Sequence, residues 1–165
     1  MSMIGWVAVV SEEACDAIAA GRIEIDRAVA IDDITDDSED AVCVEKLWHA
    51  IHFLVSDGCV WESDGKLGEL FMGGEEGSED FGYGPPRYHA PARVTKLHRL
   101  LAALSNEQLR ARFDPGALAG ADIYPTIWDE NADDLWEEIV GYLDPLRALI
   151  ARAEVRGEGL LVWIS

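Results

Sequence analysis

The sequence predicts an α+β fold: a single compact, helix-rich domain with a small sheet that takes in both ends of the chain. Two short apolar runs, residues 3–10 and 160–164, are rich in Ile, Val, Leu and Trp and read as buried strands able to pair with each other. Between them, apolar residues recur at helical spacing, as in Val94, Leu97, Leu100, Leu101 and Leu104. No internal repeat and no linker interrupts residues 1–165. At 165 residues, one domain that buries roughly 70% of its unfolded surface is the economical reading.

The first strand stops at Ser11, an N-cap with Glu12 and Glu13 in the first helical turn, where the helix dipole favours negative charge. Ala14, Ile18 and Ala19 give that helix its apolar stripe, and Gly21 ends it. Over residues 22–31, Ile23 and Ile25 alternate as in a strand while Ile25, Ala28 and Val29 fit a helix; the helical reading is preferred. Residues 32–40 hold six acids but lack the glycine and terminal glutamate of an EF-hand, so a solvated acidic loop is expected rather than a calcium site.

A central helix is predicted over residues 44–55. Val44, Leu47, Trp48, Ile51, Leu54 and Val55 share one face, and Glu45, His49 and His52 fall along one edge. Phe53 lies on the far side, which implies cover on both faces and partial burial of the histidines. Ser56-Asp57-Gly58 ends this helix, and Leu67, Leu70, Phe71 and Met72 form a short buried element. Residues 73–91 have the Gly and Pro content of an ordered loop. Pro91 opens a helix, Ser105 to Gln108 is a capping box for the next, and Asp114-Pro115-Gly116 breaks that one. Asn131 or Asp133 caps the last helix, in which Pro145 either marks a kink or starts a second helix capped by Asp144.

Composition narrows the function classes. A net charge of −19 disfavours nucleic acid and anionic membranes as partners and suits either plain solubility or a basic protein partner. Three cysteines in no C-x-x-C pair, with no signal-like N-terminus, point to reduced thiols and a cytoplasmic protein. No G-x-S-x-G, P-loop or H-E-x-x-H pattern is present, and no cofactor or metal is expected. His49 and His52, three residues apart, read first as structural histidines. The loop Gly82-Tyr83-Gly84-Pro85-Pro86-Arg87 lacks the donors of a phosphate cradle and reads as a rigid turn. It would dock Tyr83 and Tyr88 on the core and pair Arg87 with a carboxylate such as Asp80, or else present Tyr and Arg as a binding rim. Six of the 13 basic residues lie between Arg87 and Arg112 with only one acid, Glu107, so pairing with acids of the same chain is expected there.

Several stretches of the chain form one recognisable set. They are Met3-Ile4-Gly5, the run from Lys46 through Trp48-His49-Ala50-Ile51-His52-Phe53 to Leu54, and Asp80-Phe81-Gly82-Tyr83-Gly84-Pro85-Pro86-Arg87-Tyr88. Leu109-Arg110-Ala111-Arg112-Phe113-Asp114, Ile123-Tyr124-Pro125 with Trp128, and residues 157–165 complete the set. They span nearly the whole chain, with residues 22–44 departing from the pattern. Together these stretches resemble the YfbM-like family of bacterial proteins, whose function is unknown, and the resemblance implies a compact α+β domain and no reaction.

Two functional expectations follow. The first is a non-enzymatic binding protein whose acidic surface meets a basic protein partner. The second is a small-molecule site or enzyme built from His49, His52, Tyr83, Arg87 and Tyr88.

Overall fold

The apolar runs at the two ends of the chain are the central strands of one sheet. The computed structural model describes residues 2–165. In it, β1 (Gly5–Val10) and β5 (Gly159–Ile164) pair antiparallel from Gly5↔Ile164 to Val10↔Gly159. The edge of the pairing is closed by Ile4 N–H to Ser165 O at 2.8 Å and Ser165 N–H to Ile4 O at 3.0 Å. Three more strands, β2 (Ala41–Glu45), β3 (Glu75–Glu76) and β4 (Arg87–His89), complete an antiparallel sheet in the order β2-β1-β5-β4-β3.

Both faces of this sheet are covered, which is why its inner strands read as unbroken apolar runs. Val7, Val9, Leu160 and Val162 face the larger core. That core is built by α2 (Trp48–Val55), α3 (Glu69–Met72), α4 (Pro91–Ala102), α5 (Asn106–Arg112), α6 (Pro115–Gly120) and α7 (Ala132–Val155). The alternate residues Ala8, Val10, Leu161 and Trp163 face a smaller core, closed by α1 (Glu12–Ala19) and the chain that follows it. The helix signals act as expected. Ser11 Oγ accepts from Ala14 N–H, Ser105 and Gln108 form the reciprocal capping box, and Asn131 accepts from Asp133 and Asp134.

Four expectations need correction. Residues 22–31 do not form an α-helix but two 3₁₀ turns, Ile25–Arg27 and Ile31–Asp33. The first of these turns Asp26 inward, where its carboxylate accepts from Ser78 N–H, Ser78 Oγ–H and Glu79 N–H at 2.8–3.0 Å. Val44 and Glu45 belong to strand β2, so the central helix begins only at Trp48. Val44 happens to be in helical phase with Leu47, Trp48 and Ile51, but the register shift opposite Gly5 and Trp6 and a φ of 48° at Glu45 turn the chain between strand and helix. The loop over residues 73–91 contains the inner strand β4, three residues long and masked by Pro85 and Pro86. Asp114-Pro115 ends α5 but also opens α6, with Asp114 Oδ1 accepting from Gly116 N–H at 3.0 Å. At Pro145, α7 continues as one 24-residue helix; the missing proline N–H falls opposite the carbonyl of Gly141, four residues earlier.

Helix α2 and strand β1 approach closely at Gly5. A Cβ placed there would lie 2.5 Å from Trp48 Cβ and 2.9 Å from Trp48 Cγ, so only glycine lets α2 lie against β1. Gly141 has open space around its Cβ position. Gly5→Ala is therefore expected to destabilise by about 1–3 kcal/mol through overpacking. Gly141→Ala should instead stabilise by about 0.5–1 kcal/mol through helix propensity. Urea denaturation of the two variants checks this, and equal shifts would contradict it.

Candidate functional site

His49, His52 and His89 are each 0% exposed, so the partial burial expected of the first two is replaced by complete enclosure. Their hydrogen bonds say why. Tyr124 N–H donates to His49 Nδ1 at 3.0 Å, which leaves Nε2 to carry the ring hydrogen and donate to Val60 O at 2.8 Å. His52 Nε2–H donates to Glu62 O at 3.1 Å, and His89 Nε2–H to Leu70 O at 2.9 Å. The three rings thus tie α2 and β4 to carbonyls of residues 60–70, a stretch with little regular structure of its own. Glu45, expected beside the histidines, is exposed at the end of β2. Among the described residues, no three His, Cys, Asp or Glu side chains are grouped so as to hold a metal ion.

Burial suppresses the charged form of all three rings. For His49 it outweighs the bond to Val60 and lowers the pKa. For His52, burial first and the neighbouring His49 second bring it to about 4, and for His89 burial does so despite the bond to Leu70.

The Gly-Pro loop is organised by Asp80, whose Oδ1 accepts from Gly82 N–H at 2.7 Å and Gly84 N–H at 3.1 Å. The expected Arg87–Asp80 pair therefore does not form. Arg87 instead meets Glu76 at 2.8 Å and donates to Gly73 O at 3.5 Å. Tyr83 N–H donates to Ile164 O at 3.1 Å, and a Cβ on Gly82, which has a φ of +133°, would lie 2.9 Å from Ser165 Cα. The loop thereby straddles the end of β5. It sets Phe81 edge-on to Trp163 on the smaller-core side (centroids 6.5 Å, 80°) and Tyr83 on the other.

Two concave sites flank this loop. On the larger-core side is a pocket of about 410 Å³ among Trp48, Trp61, Phe71, Met72, Tyr83 and Arg87. Trp61, 57% exposed, rests on the enclosed His49 ring at 4.2 Å between centroids. On the opposite side is a cleft of about 720 Å³ floored by Trp6, Phe81 and Trp163, walled by Ile31 and Ile34, and rimmed by Asp32 and Asp33. Trp6 and Trp163 stack there with centroids 6.0 Å apart and ring planes 6° apart.

Of the five residues singled out in the sequence, Tyr83 and Arg87 meet at the first pocket. His49 stands behind Trp61 without reaching solvent, His52 is sealed further along α2, and Tyr88 is buried on the other face beside Cys15. Burial, with Cys15 beside it, raises the Tyr88 phenol above its ordinary value. Sequence reasoning missed Trp6, Trp61, Phe81 and Trp163. One signal was available for Trp61: a lone indole in the polar run Trp61-Glu62-Ser63-Asp64-Gly65 has no core to join. The basic stretch is matched internally in large part: Arg87 pairs with Glu76, Arg93 with Glu69, Arg110 with Asp133 and Arg112 with Asp57, whereas Lys96 donates to Gly65 O and no such bond is seen for Arg99 among the described residues.

The family model of DUF1877, a domain of unknown function, matches residues 1–163. Among solved structures, YfbM from Escherichia coli, a protein of unknown function, superposes with a TM-score of 0.72 over 99% of this chain and 100% of its own at 18% identity, a likeness of fold. Comparison with curated proteins gives no match.

The enclosed histidines make stability pH-dependent with a definite sign. Their folded pKa values lie below the ordinary 6.5, at about 4 for His52 and His89, so their contribution is complete above about pH 6.5 and is lost as pH falls toward 4. Within that window each of these two rings removes up to about 1.4 kcal/mol per pH unit. The urea midpoint should fall steeply between about pH 6.5 and pH 5, and His52→Gln should shallow that fall. A midpoint that stays flat across the window would contradict the assignment.

Proposed function

We propose that this chain, which belongs to the DUF1877 family of domains of unknown function, is a non-enzymatic binding protein whose acidic face takes a basic segment of a protein partner. The observation that carries the reading is the cleft on the smaller-core side. Its floor is the stacked Trp6–Trp163 pair with Phe81, and its rim carries Asp32 and Asp33 together with Arg27, whose charge is met by Glu79 at 3.1 Å. A Lys or Arg side chain has the matching build: an aliphatic stem or planar guanidinium to lie on an indole face, and a positive end for the carboxylates. Cation–aromatic contact is worth about 0.5–2 kcal/mol, more as it is desolvated.

Long-range charge favours the same partner. The net charge of −19 draws a basic segment in and repels phosphate backbones. The net −19 already counts the basic residues of α4 and α5, and Arg93 and Arg110 there are spent on Glu69 and Asp133. Unpaired Cys15, Cys43 and Cys59 fit a reducing compartment such as the cytoplasm. The described helices include none long and apolar enough to cross a membrane. A reaction centred on His49 and His52 draws no support from rings that are sealed from solvent and committed to Val60 and Glu62.

The test is fluorescence anisotropy with a labelled Arg/Gly-repeat peptide, using a Glu/Gly-repeat peptide as control. The Arg peptide should bind at low salt and weaken at least about 10-fold as salt is raised past the physiological level. Trp6→Leu and the Asp32→Asn/Asp33→Asn double variant should each weaken it by about 5–10-fold. Absence of binding at low salt would sink the proposal. So would binding that senses salt but not Trp6, which is the behaviour of a general polyanion.

A further inference from the structure

The pocket on the larger-core side differs from the acidic cleft in both shape and charge. About 410 Å³ falls within the usual span of small-molecule sites, and its walls are largely aromatic and thioether: Trp48, Trp61, Phe71, Met72 and Tyr83. Of the large hydrophobic side chains left exposed among the described residues, Trp61 (57%), Tyr83 (41%) and Val155, the first two stand at this one mouth. A large ring facing water is ordinary when isolated, but two flanking a concave apolar site mark a place where something lies.

The platform is rigid before anything binds. Trp61 rests on His49, and that ring is fixed by Val60 O on one nitrogen and Tyr124 N–H on the other. The opposite wall is fixed by Tyr83 N–H to Ile164 O and by the Asp80 turn. Preorganisation of this kind lowers the ordering penalty of binding.

Arg87 is the charged side chain in the lining, and it sets the sign of the ligand. Its guanidinium is held from within by Gly73 O at 3.5 Å and from outside by Glu76, whose side chain is 54% exposed. An ion pair with so exposed a carboxylate contributes little, so a carboxylate presented from inside the pocket can take its place on the planar guanidinium. A cationic ligand meets Arg87 as a like charge, and a phosphate finds mostly apolar walls with Pro85 among them. We propose that this pocket binds a small planar aromatic carboxylate, its ring against Trp61 and Tyr83 and its carboxylate on Arg87.

Three probes of nearly one shape separate the outcomes: indole-3-acetate, neutral indole and cationic tryptamine, followed by isothermal titration calorimetry and ligand-observed saturation-transfer NMR. Indole-3-acetate should bind saturably in the sub-millimolar range, at least about 10-fold tighter than tryptamine, with indole between them. Arg87→Gln should bring indole-3-acetate down to the level of indole, and Trp61→Ala should remove saturable binding of both. Trp61 is exposed, so its variant keeps the test decisive even where Arg87→Gln lowers the melting temperature. The proposal fails if indole-3-acetate shows no saturable binding at millimolar concentration. It fails equally if tryptamine binds as tightly, or if Trp61→Ala leaves binding unchanged. Binding of Arg-rich peptide at the acidic cleft is read by Trp6→Leu, so the two sites fail or stand separately.

Discussion

The arrangement of the larger core rests on one close approach, where Trp48 lies on the backbone of β1 at Gly5. A side chain at Gly5 would force α2 away from the sheet, since the atoms in the way are Trp48 Cβ and Cγ rather than a movable tip. With α2 seated there, Ile51 and Leu54 enter the core and His49 is carried beneath Trp61. The irregularity between β1 and β2 occurs at the same level, at Gly5 and Trp6, and delivers the chain into α2. One missing side chain therefore sets both the helix position and the floor of the aromatic pocket.

A second constraint concerns residues 59–68 and the single turn of α3 after them, which have few helix or sheet bonds of their own and so need partners for their carbonyls. The partners are imidazole N–H groups from His49, His52 and His89, directed at Val60, Glu62 and Leu70. A neutral ring suits that duty because it can be buried without an isolated charge. The histidines that looked like chemistry are therefore fasteners, and Trp61, carried on the segment they fasten, reaches the surface. Asp26 does the same work on the other side of the sheet, fixing Ser78 and Glu79 at the start of the loop that bears Phe81 and Tyr83.

Where a single periodicity ran long enough to dominate, the fold was legible in the sequence. The strands at the chain ends, the stripe of α4, the capping box at Ser105 and the Asn131 cap all lie where their residues place them. Short elements were not, because two or three residues carry no period: β3 and β4 take their strand character from pairing with β5 and each other. Val44 shows the opposite hazard, a strand residue that by chance is in phase with the helix beyond it. The candidate site was legible only in part. Tyr83 and Arg87 announced themselves as aromatic and cationic residues in a rigid loop, but Trp6 and Trp163 meet only through the pairing of β1 with β5, and Phe81 joins them only because its loop straddles the end of β5.

The mutual bonds of Ile4 and Ser165 leave the backbone almost a closed ring, with the first and last strands side by side at the centre of the sheet. The order in which the elements are strung is then separable from the architecture they build. A short bridge from 165 to 4, with fresh ends opened in an exposed turn such as Gly120 to Asp122, would preserve every strand neighbour. The adjacency is nonetheless sided: an extension attached after Ser165 emerges at the lip of the acidic cleft, whereas Met3 lies in the wall of the aromatic pocket, so additions at the two positions report on different sites.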